Sequence, residues 1–161
     1  VEGLPQGGLS IYDQASFNCW SSDGNKIVFT LYTFPSGGGR GRSTIQILDL
    51  TTDEITTLLD ETTLENIEWI ANPALSPDGT RLLFSGKQDE IYSIFSIDLQ
   101  TNEIQLIENE TYNLTNPVWS PDGQFFLAHA ETPLLFTITG DLLYALDIPG
   151  GLVTSWVTSM P

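Results

Sequence analysis

One histidine and one cysteine are the side chains here best suited to attack or to move protons near neutral pH, and they bound the covalent chemistry available. His129 ends the run Phe126-Leu127-Ala128-His129. It has the chemistry of a general base or metal ligand, and it equally suits a polar strand end. Cys19 sits in Asn18-Cys19-Trp20, among residues that want a small apolar neighbour, and reads as a buried, inert thiol. No Ser, His and Asp lie at a spacing that suggests a nucleophilic triad, and Ser120 belongs to a turn. No catalytic residue is nominated, and a non-enzymatic role is expected. Three aspartates precede glycines, at Asp23-Gly24, Asp78-Gly79 and Asp122-Gly123. Their carboxylates are hard oxygen donors, so calcium is the one cofactor they would suit, but none stands in an Asp-x-Asp-x-Asp-Gly loop. These six residues are read as structural turns, with no cofactor. Gly37-Gly38-Gly39-Arg40-Gly41-Arg42 has the glycines of a phosphate cradle without its Lys-Ser/Thr ending, and reads as a loop. It carries Arg40 and Arg42, two of the five basic residues, which marks both as candidate partner contacts.

The elements that position these residues come from a repeat. Asn18-Cys19-Trp20-Ser21-Ser22-Asp23-Gly24, Pro73-Ala74-Leu75-Ser76-Pro77-Asp78-Gly79 and Pro117-Val118-Trp119-Ser120-Pro121-Asp122-Gly123 align, and each runs into an apolar stretch. The aspartates are 55 and then 44 residues apart, and a spacing near 44 is that of a four-stranded propeller blade. A second anchor recurs at Asp49, Asp98 and Asp147, each followed six residues later by Ile55, Ile104 or Val153. The longer first copy then places insertions at Pro35–Arg42 and around Thr62–Ile67, both in loops. Trp20 and Trp119 share a column and read as core. Trp69 and Trp156 fall outside it and are further candidate contacts.

Ser-Pro-Asp-Gly has the chemistry of a tight turn: Pro fixes φ, Asp bonds local backbone, and Gly takes φ > 0. In the second copy this turn joins strands at Ala74–Ser76 and Arg81–Ser85, with further strands at Tyr92–Asp98 and Ile104–Ile107. The first copy offers Ile45–Asp49 and Ile55–Leu59 in the last two roles. The third offers Leu143–Asp147 and, past Pro149-Gly150-Gly151, Val153–Trp156. Period-two alternation broken by turns predicts an all-β fold.

The Pro-x-Trp-Ser-Pro-Asp-Gly pattern of Pro117–Gly123, with its variants in the other copies, resembles the TolB-like repeat (PD40), a relative of the WD40 propeller repeat. The likeness covers residues 15–158. Ser22 replaces the turn proline, Asn18 stands where later copies have Pro73 and Pro117, and Leu75 replaces the tryptophan. The resemblance implies β-propeller blades: about three four-stranded antiparallel sheets plus one N-terminal strand, in a partial or multi-chain propeller. The divisions expected are 1–14 as a preceding strand or linker, 15–70 as a first blade with insertions, 71–114 as a second and 115–161 as a third. The family includes a periplasmic component of a cell-envelope system and the propeller domains of some peptidases and lyases.

Composition narrows the partners. Of 161 residues, 21 are acidic and 5 are Lys or Arg, for a net charge of −16, which disfavours nucleic acid and anionic membrane. No apolar run approaches the ~18 residues of a membrane span. The 40% hydrophobic content supports a packed core, and the single cysteine excludes an internal disulfide framework. Two lysines, abundant Ser and Thr, and the acid excess suit a periplasmic, cell-envelope or secreted protein. Opening at Val1 without Met, the sequence reads as a processed chain or a piece of a longer one; Asn109 and Asn113 match the glycosylation pattern. A three-bladed chain leaves two sheet faces uncovered, so a lone monomer is not expected. The partners expected are proteins or further blades. The role expected is a non-catalytic binding or assembly module. The alternatives are an accessory propeller of a hydrolase, peptidase or lyase, and a propeller that binds carbohydrate or a small ligand in its channel.

Overall fold

A computed structural model of the chain describes residues 14–35, 39–107 and 113–147. Strands dominate them, in three antiparallel sheets of four. The first holds β1 (Gln14–Trp20), β2 (Lys26–Thr33), β3 (Arg42–Asp49) and β4 (Glu54–Asp60). The second holds β5 (Trp69–Leu75), β6 (Arg81–Gln88), β7 (Ile91–Asp98) and β8 (Ile104–Ile107). The third holds β9 (Thr115–Trp119), β10 (Phe125–His129), β11 (Pro133–Thr137) and β12 (Leu142–Ala145). Each is a simple meander, so each strand pairs with its neighbour in sequence. A 3-10 turn at Glu61–Thr63, capped by Asp60, follows the first sheet.

The middle sheet explains the near-continuous apolar run of β6. Successive side chains on a strand point to opposite faces, and both of its faces are covered. Leu82 and Phe84 pack toward the first sheet with Val28, Ile45, Leu59, Ile70, Phe95 and Ile97. Leu83 packs toward the third, with Ala74, Ile94, Trp119, Phe126, Leu134 and Phe136. Stacked rings mark both layers: Phe84 on Phe95 at 5.5 Å, and Phe126 on Phe136 at 5.2 Å.

The inner strands β5 and β9 are kinked by a device the sequence reading missed. Asn72 and Asn116 lie at φ 51° and 52°, each just before a proline, and the ladder register slips there. Asparagine tolerates the left-handed region better than most residues, and proline has no N–H to lose from the ladder. The bulge bends the strand, as bulges at sheet edges do.

The third sheet corrects one expectation. Its third strand is Pro133–Thr137, not Leu143–Asp147, and Leu142–Ala145 is its outer strand. The β10–β11 connection shrinks to Ala130-Glu131-Thr132, closed by Ala130 N donating to the Thr132 carbonyl. The next turn works from its far end, with Gly140 at φ 96° and the Asp141 carboxylate accepting from Thr137 and Thr139. Asp147 therefore follows the outer strand, and Thr137 stands where β3 and β7 end on Asp49 and Asp98. Val153–Trp156 and the N-terminal strand expected near Leu9–Tyr12 lie outside the described residues.

Candidate functional site

The three Asp-Gly turns are built alike, down to the serine that opens each. Ser21, Ser76 and Ser120 donate their hydroxyls to Asp23, Asp78 and Asp122 at 2.5–2.6 Å. The same hydroxyl oxygens accept from the backbone N–H of Lys26, Arg81 and Phe125, five residues on. Each carboxylate also accepts from the N–H two residues ahead, at Asn25, Thr80 and Gln124. Gly24, Gly79 and Gly123 sit at φ 72°, 73° and 69°. A Cβ at Gly24 or Gly79 would meet nothing within 4 Å, so glycine is required there for backbone conformation and not for space. The serine hydroxyl first, and the backbone N–H next, hold all three carboxyls below their ordinary pKa. Asp49 and Asp98, in the loops that follow β3 and β7, are lowered in the same way: Asp49 by Thr51, Asp98 by the backbone of Thr101 and Gln100.

These shifts predict an acid limb in stability. A carboxyl whose folded pKa is depressed stabilises the fold above its unfolded value of about 3.9 and loses that contribution as pH falls through the folded value. Relief of the −16 self-repulsion on protonation acts in the opposite sense. Asp122→Asn separates the two, because it removes one coupled carboxyl and little of the total charge. Urea midpoints below about pH 4 should fall less steeply in the variant than in the wild type. Equal slopes would show that the turn carboxylates do not contribute.

Each turn holds its own carboxylate through the hydrogen bonds of its serine and backbone. Among the described residues no three of His, Cys, Asp and Glu converge on one point. Cys19 accepts a 3.3 Å hydrogen bond from Leu75 N across the first two sheets, and burial pushes its thiol pKa up, away from the reactive thiolate. His129 ends β10, opposite Pro133. It shares a column with Thr30 and Ser85, and the Ser85 hydroxyl accepts from Asn116 N of the next sheet at 3.1 Å. His129 is thus placed on the face of the third sheet that points away from the second.

A cleft forms at the opposite end of the strands from the Asp-Gly turns, between the first two sheets. It has a volume of about 290 Å³. Tyr32 lies one residue before the end of β2, Trp69 opens β5 and Tyr92 lies at the start of β7, so a meander delivers all three to this one end. Trp69 stacks on Tyr32 with centroids 6.1 Å apart, and Tyr92 meets it at right angles at 5.7 Å. Arg40, Arg42 and Lys87 line the cleft together with Glu68. The counter-charges stand behind: Asp60 takes Arg42 through two hydrogen bonds, Glu90 lies 2.7 Å from Lys87, and Glu61 lies 3.6 Å from Arg40. Glu61 is buried and also ties the sheets together. Ile70 N donates to Ser43 Oγ at 3.0 Å, and that hydroxyl donates to Glu61 Oε2 at 2.5 Å. Gly41 lies close beneath the half-exposed Phe34 ring, which a Cβ there, at 2.7 Å, would push aside.

Three of the four expected contact residues, Arg40, Arg42 and Trp69, therefore meet in one place. Trp156 lies outside the described residues. Tyr32, Ser43, Glu61, Lys87 and Tyr92 were not found from the sequence, because they come from separate strands and the intervening loops hide their common end. The signal available was positional: each stands at or beside the strand end away from an Asp-Gly turn.

A second contact sets the sheets in order. The Trp119 indole, 7% exposed, donates to the Ala74 carbonyl of the preceding sheet at 2.8 Å. Trp20 occupies the same place at the end of β1 and is 61% exposed. No helix among the described residues is long and apolar enough to cross a membrane.

No protein-family model matches this sequence, and no curated protein matches it. Solved structures do. TolB from Acinetobacter baumannii is 20% identical with a TM-score of 0.64, over 81% of this chain and 31% of that one. The β-propeller domain of the Trilobed protease from Pyrococcus furiosus, described as having an open velcro topology, is 16% identical with a TM-score of 0.63, over 89% and 45%. The Pyrococcus horikoshii acylaminoacyl peptidase is 15% identical with a TM-score of 0.58, over 78% and 24%. The chain spans less than half the length of each of these proteins, and what it shares with them is architecture: it is a partial β-propeller of three consecutive four-stranded blades.

Proposed function

We propose that this chain is a non-catalytic binding and assembly module of an exported or cell-envelope protein, one section of a larger propeller. The observation that carries the reading is the unequal burial of two equivalent tryptophans. Trp119 spends its indole N–H on the blade before it, while Trp20 holds the same donor out to solvent at 61% exposure. The first blade is thus equipped to receive a preceding blade whose inner strand offers a carbonyl. The composition supports export, and the acid excess favours protein partners over nucleic acid. A second reading, an accessory propeller of a peptidase, is favoured by the likeness to the propeller domain of the Pyrococcus furiosus protease and to the Pyrococcus horikoshii peptidase. A hydrolase domain encoded beside this segment in its parent gene would select it.

Light scattering of the native particle tests the assembly. A mass well above the 17.7 kDa of one chain is expected, or a particle completed by a co-purifying subunit. Trp20→Ala should weaken that association by about tenfold or more, as loss of a central aromatic anchor does. A particle that stays a monodisperse monomer at every concentration, with no partner, would refute the reading.

A further inference from the structure

We infer that the Asp-Gly end of the blades is a docking surface for a segment of a protein partner that carries a large apolar side chain beside Lys or Arg. The inference names the partner of the binding module proposed above and rests on that reading. Two adjoining hollows carry it. The first is a groove of about 350 Å³ along the inner-strand ends, running from Trp20 of the first blade past Leu75 and Pro77 of the second to Trp119 and Pro121 of the third. None of the side chains that line it is charged, in a chain of net charge −16. Its walls come from three successive blades, so it takes a length of chain and not a compact molecule. Trp119 lines the groove while only 7% exposed, so covering Trp20 with a preceding blade leaves the groove in place. The second hollow is a cleft of about 460 Å³ between the second and third blades, which shares Ser76, Pro77 and Trp119 with the groove.

The cleft sets the sign of the partner's charge. Asp78, Asp98 and Asp122 line it against one cation, Arg81. Their described hydrogen bonds come from their own loops and all reach Oδ1. Among the described residues none of the three is in an ion pair. The outer oxygen of each is therefore left to accept from a partner. The far end of the strands is the contrast, because Arg40, Arg42 and Lys87 each have a carboxylate there. The same loop bonds hold all three aspartates below their ordinary pKa, so the cleft keeps its charge in mildly acid solution. A Lys or Arg seated there makes charge-assisted hydrogen bonds, and its apolar neighbour fills the uncharged groove. The field of the whole chain draws a basic segment in and turns an acidic one away.

The test is calorimetric titration of the 161-residue chain with N-acetyl-Gly-Phe-Pro-Lys-Arg-amide. A version with two Glu in place of Lys and Arg, and a version with Ser in place of Phe, should each bind at least about tenfold more weakly. Gln100 lines the cleft, is exposed, and makes its described hydrogen bond through its backbone, so a charge can stand there without disturbing the fold. Gln100→Lys should weaken the basic peptide by about threefold and Gln100→Glu should strengthen it by a similar factor. Glu68→Lys changes the net charge by more but lies at the far end of the strands, and should leave the affinity within about twofold. Equal binding of the basic and Glu peptides, full affinity of the Ser peptide, a larger effect of Glu68→Lys than of Gln100→Lys, or no binding at millimolar peptide would each overturn the assignment. Particle mass is read separately. A monomer that binds the basic peptide would refute assembly alone, and an assembled particle that ignores it would refute the docking surface alone.

Discussion

Phe84→Ala should lower the unfolding free energy of this chain by about 3–5 kcal/mol, the range for truncating a buried phenylalanine. Phe84 is 0% exposed and stacks on Phe95 at an interplanar angle of 18°. It projects from β6 toward the first sheet, so its loss opens a cavity between two sheets. Closing that cavity would mean moving β6, but the other face of β6 is fixed. Leu83 is packed into the third sheet's core, and Ser85 is bonded to Asn116 N. Relaxation is therefore small and the full cavity term applies. Domains are stable by about 5–15 kcal/mol, so the variant should lie close to unfolding at 37 °C. A shift in urea midpoint equivalent to under about 1 kcal/mol would show that the sheets can close on each other freely.

The second large effect is a contrast between two identical truncations. Trp119→Ala should cost about 3–5 kcal/mol, because it removes a buried ring and leaves the Ala74 carbonyl without its donor. Trp20→Ala, measured at dilutions where the chain has no partner, should change stability by no more than about 0.5 kcal/mol. The two side chains stand in the same repeat column, so sequence alone assigns them equal weight. What separates them is burial: Trp119 lies against the preceding sheet, and Trp20 is 61% exposed. Equal costs in the dissociated chain would mean that Trp20 is already covered, and the equivalence drawn above would fall.

Much of the fold was legible because its signals are local. Asp78-Gly79 and Asp122-Gly123 mark the same corner of successive sheets, and the chemistry of that corner is contained in six contiguous residues. The third sheet was misread for a related reason. Asp147 reproduces the spacing of Asp49 and Asp98, but spacing cannot reveal that the connection after His129 has shrunk and drawn β11 forward to Pro133. The site was legible in part. Arg40, Arg42 and Trp69 stood out as rare residues outside the repeat columns. Glu61 did not, because a buried carboxylate is explained only by the Ser43 hydroxyl and Arg40 that face it, both about 20 residues upstream.

The meander order of the strands has a consequence for synthesis. No sheet waits for a strand from a distant part of the chain. Hairpins close in about 1–10 μs, whereas a ribosome adds only about 5–20 residues per second. The first sheet can therefore complete soon after Asp60 clears the exit tunnel, long before the next inner strand has followed it out. From Asp60 to the end of β5 at Leu75 is a stretch that takes on the order of 1–3 s to translate. For those seconds Val28, Ile45 and Leu59 have no second layer to meet. The nascent chain then grows like a zipper, each newly emerged sheet covering the one before it. Its exposure to wrong partners is set by the pace of translation and not by the pace of folding.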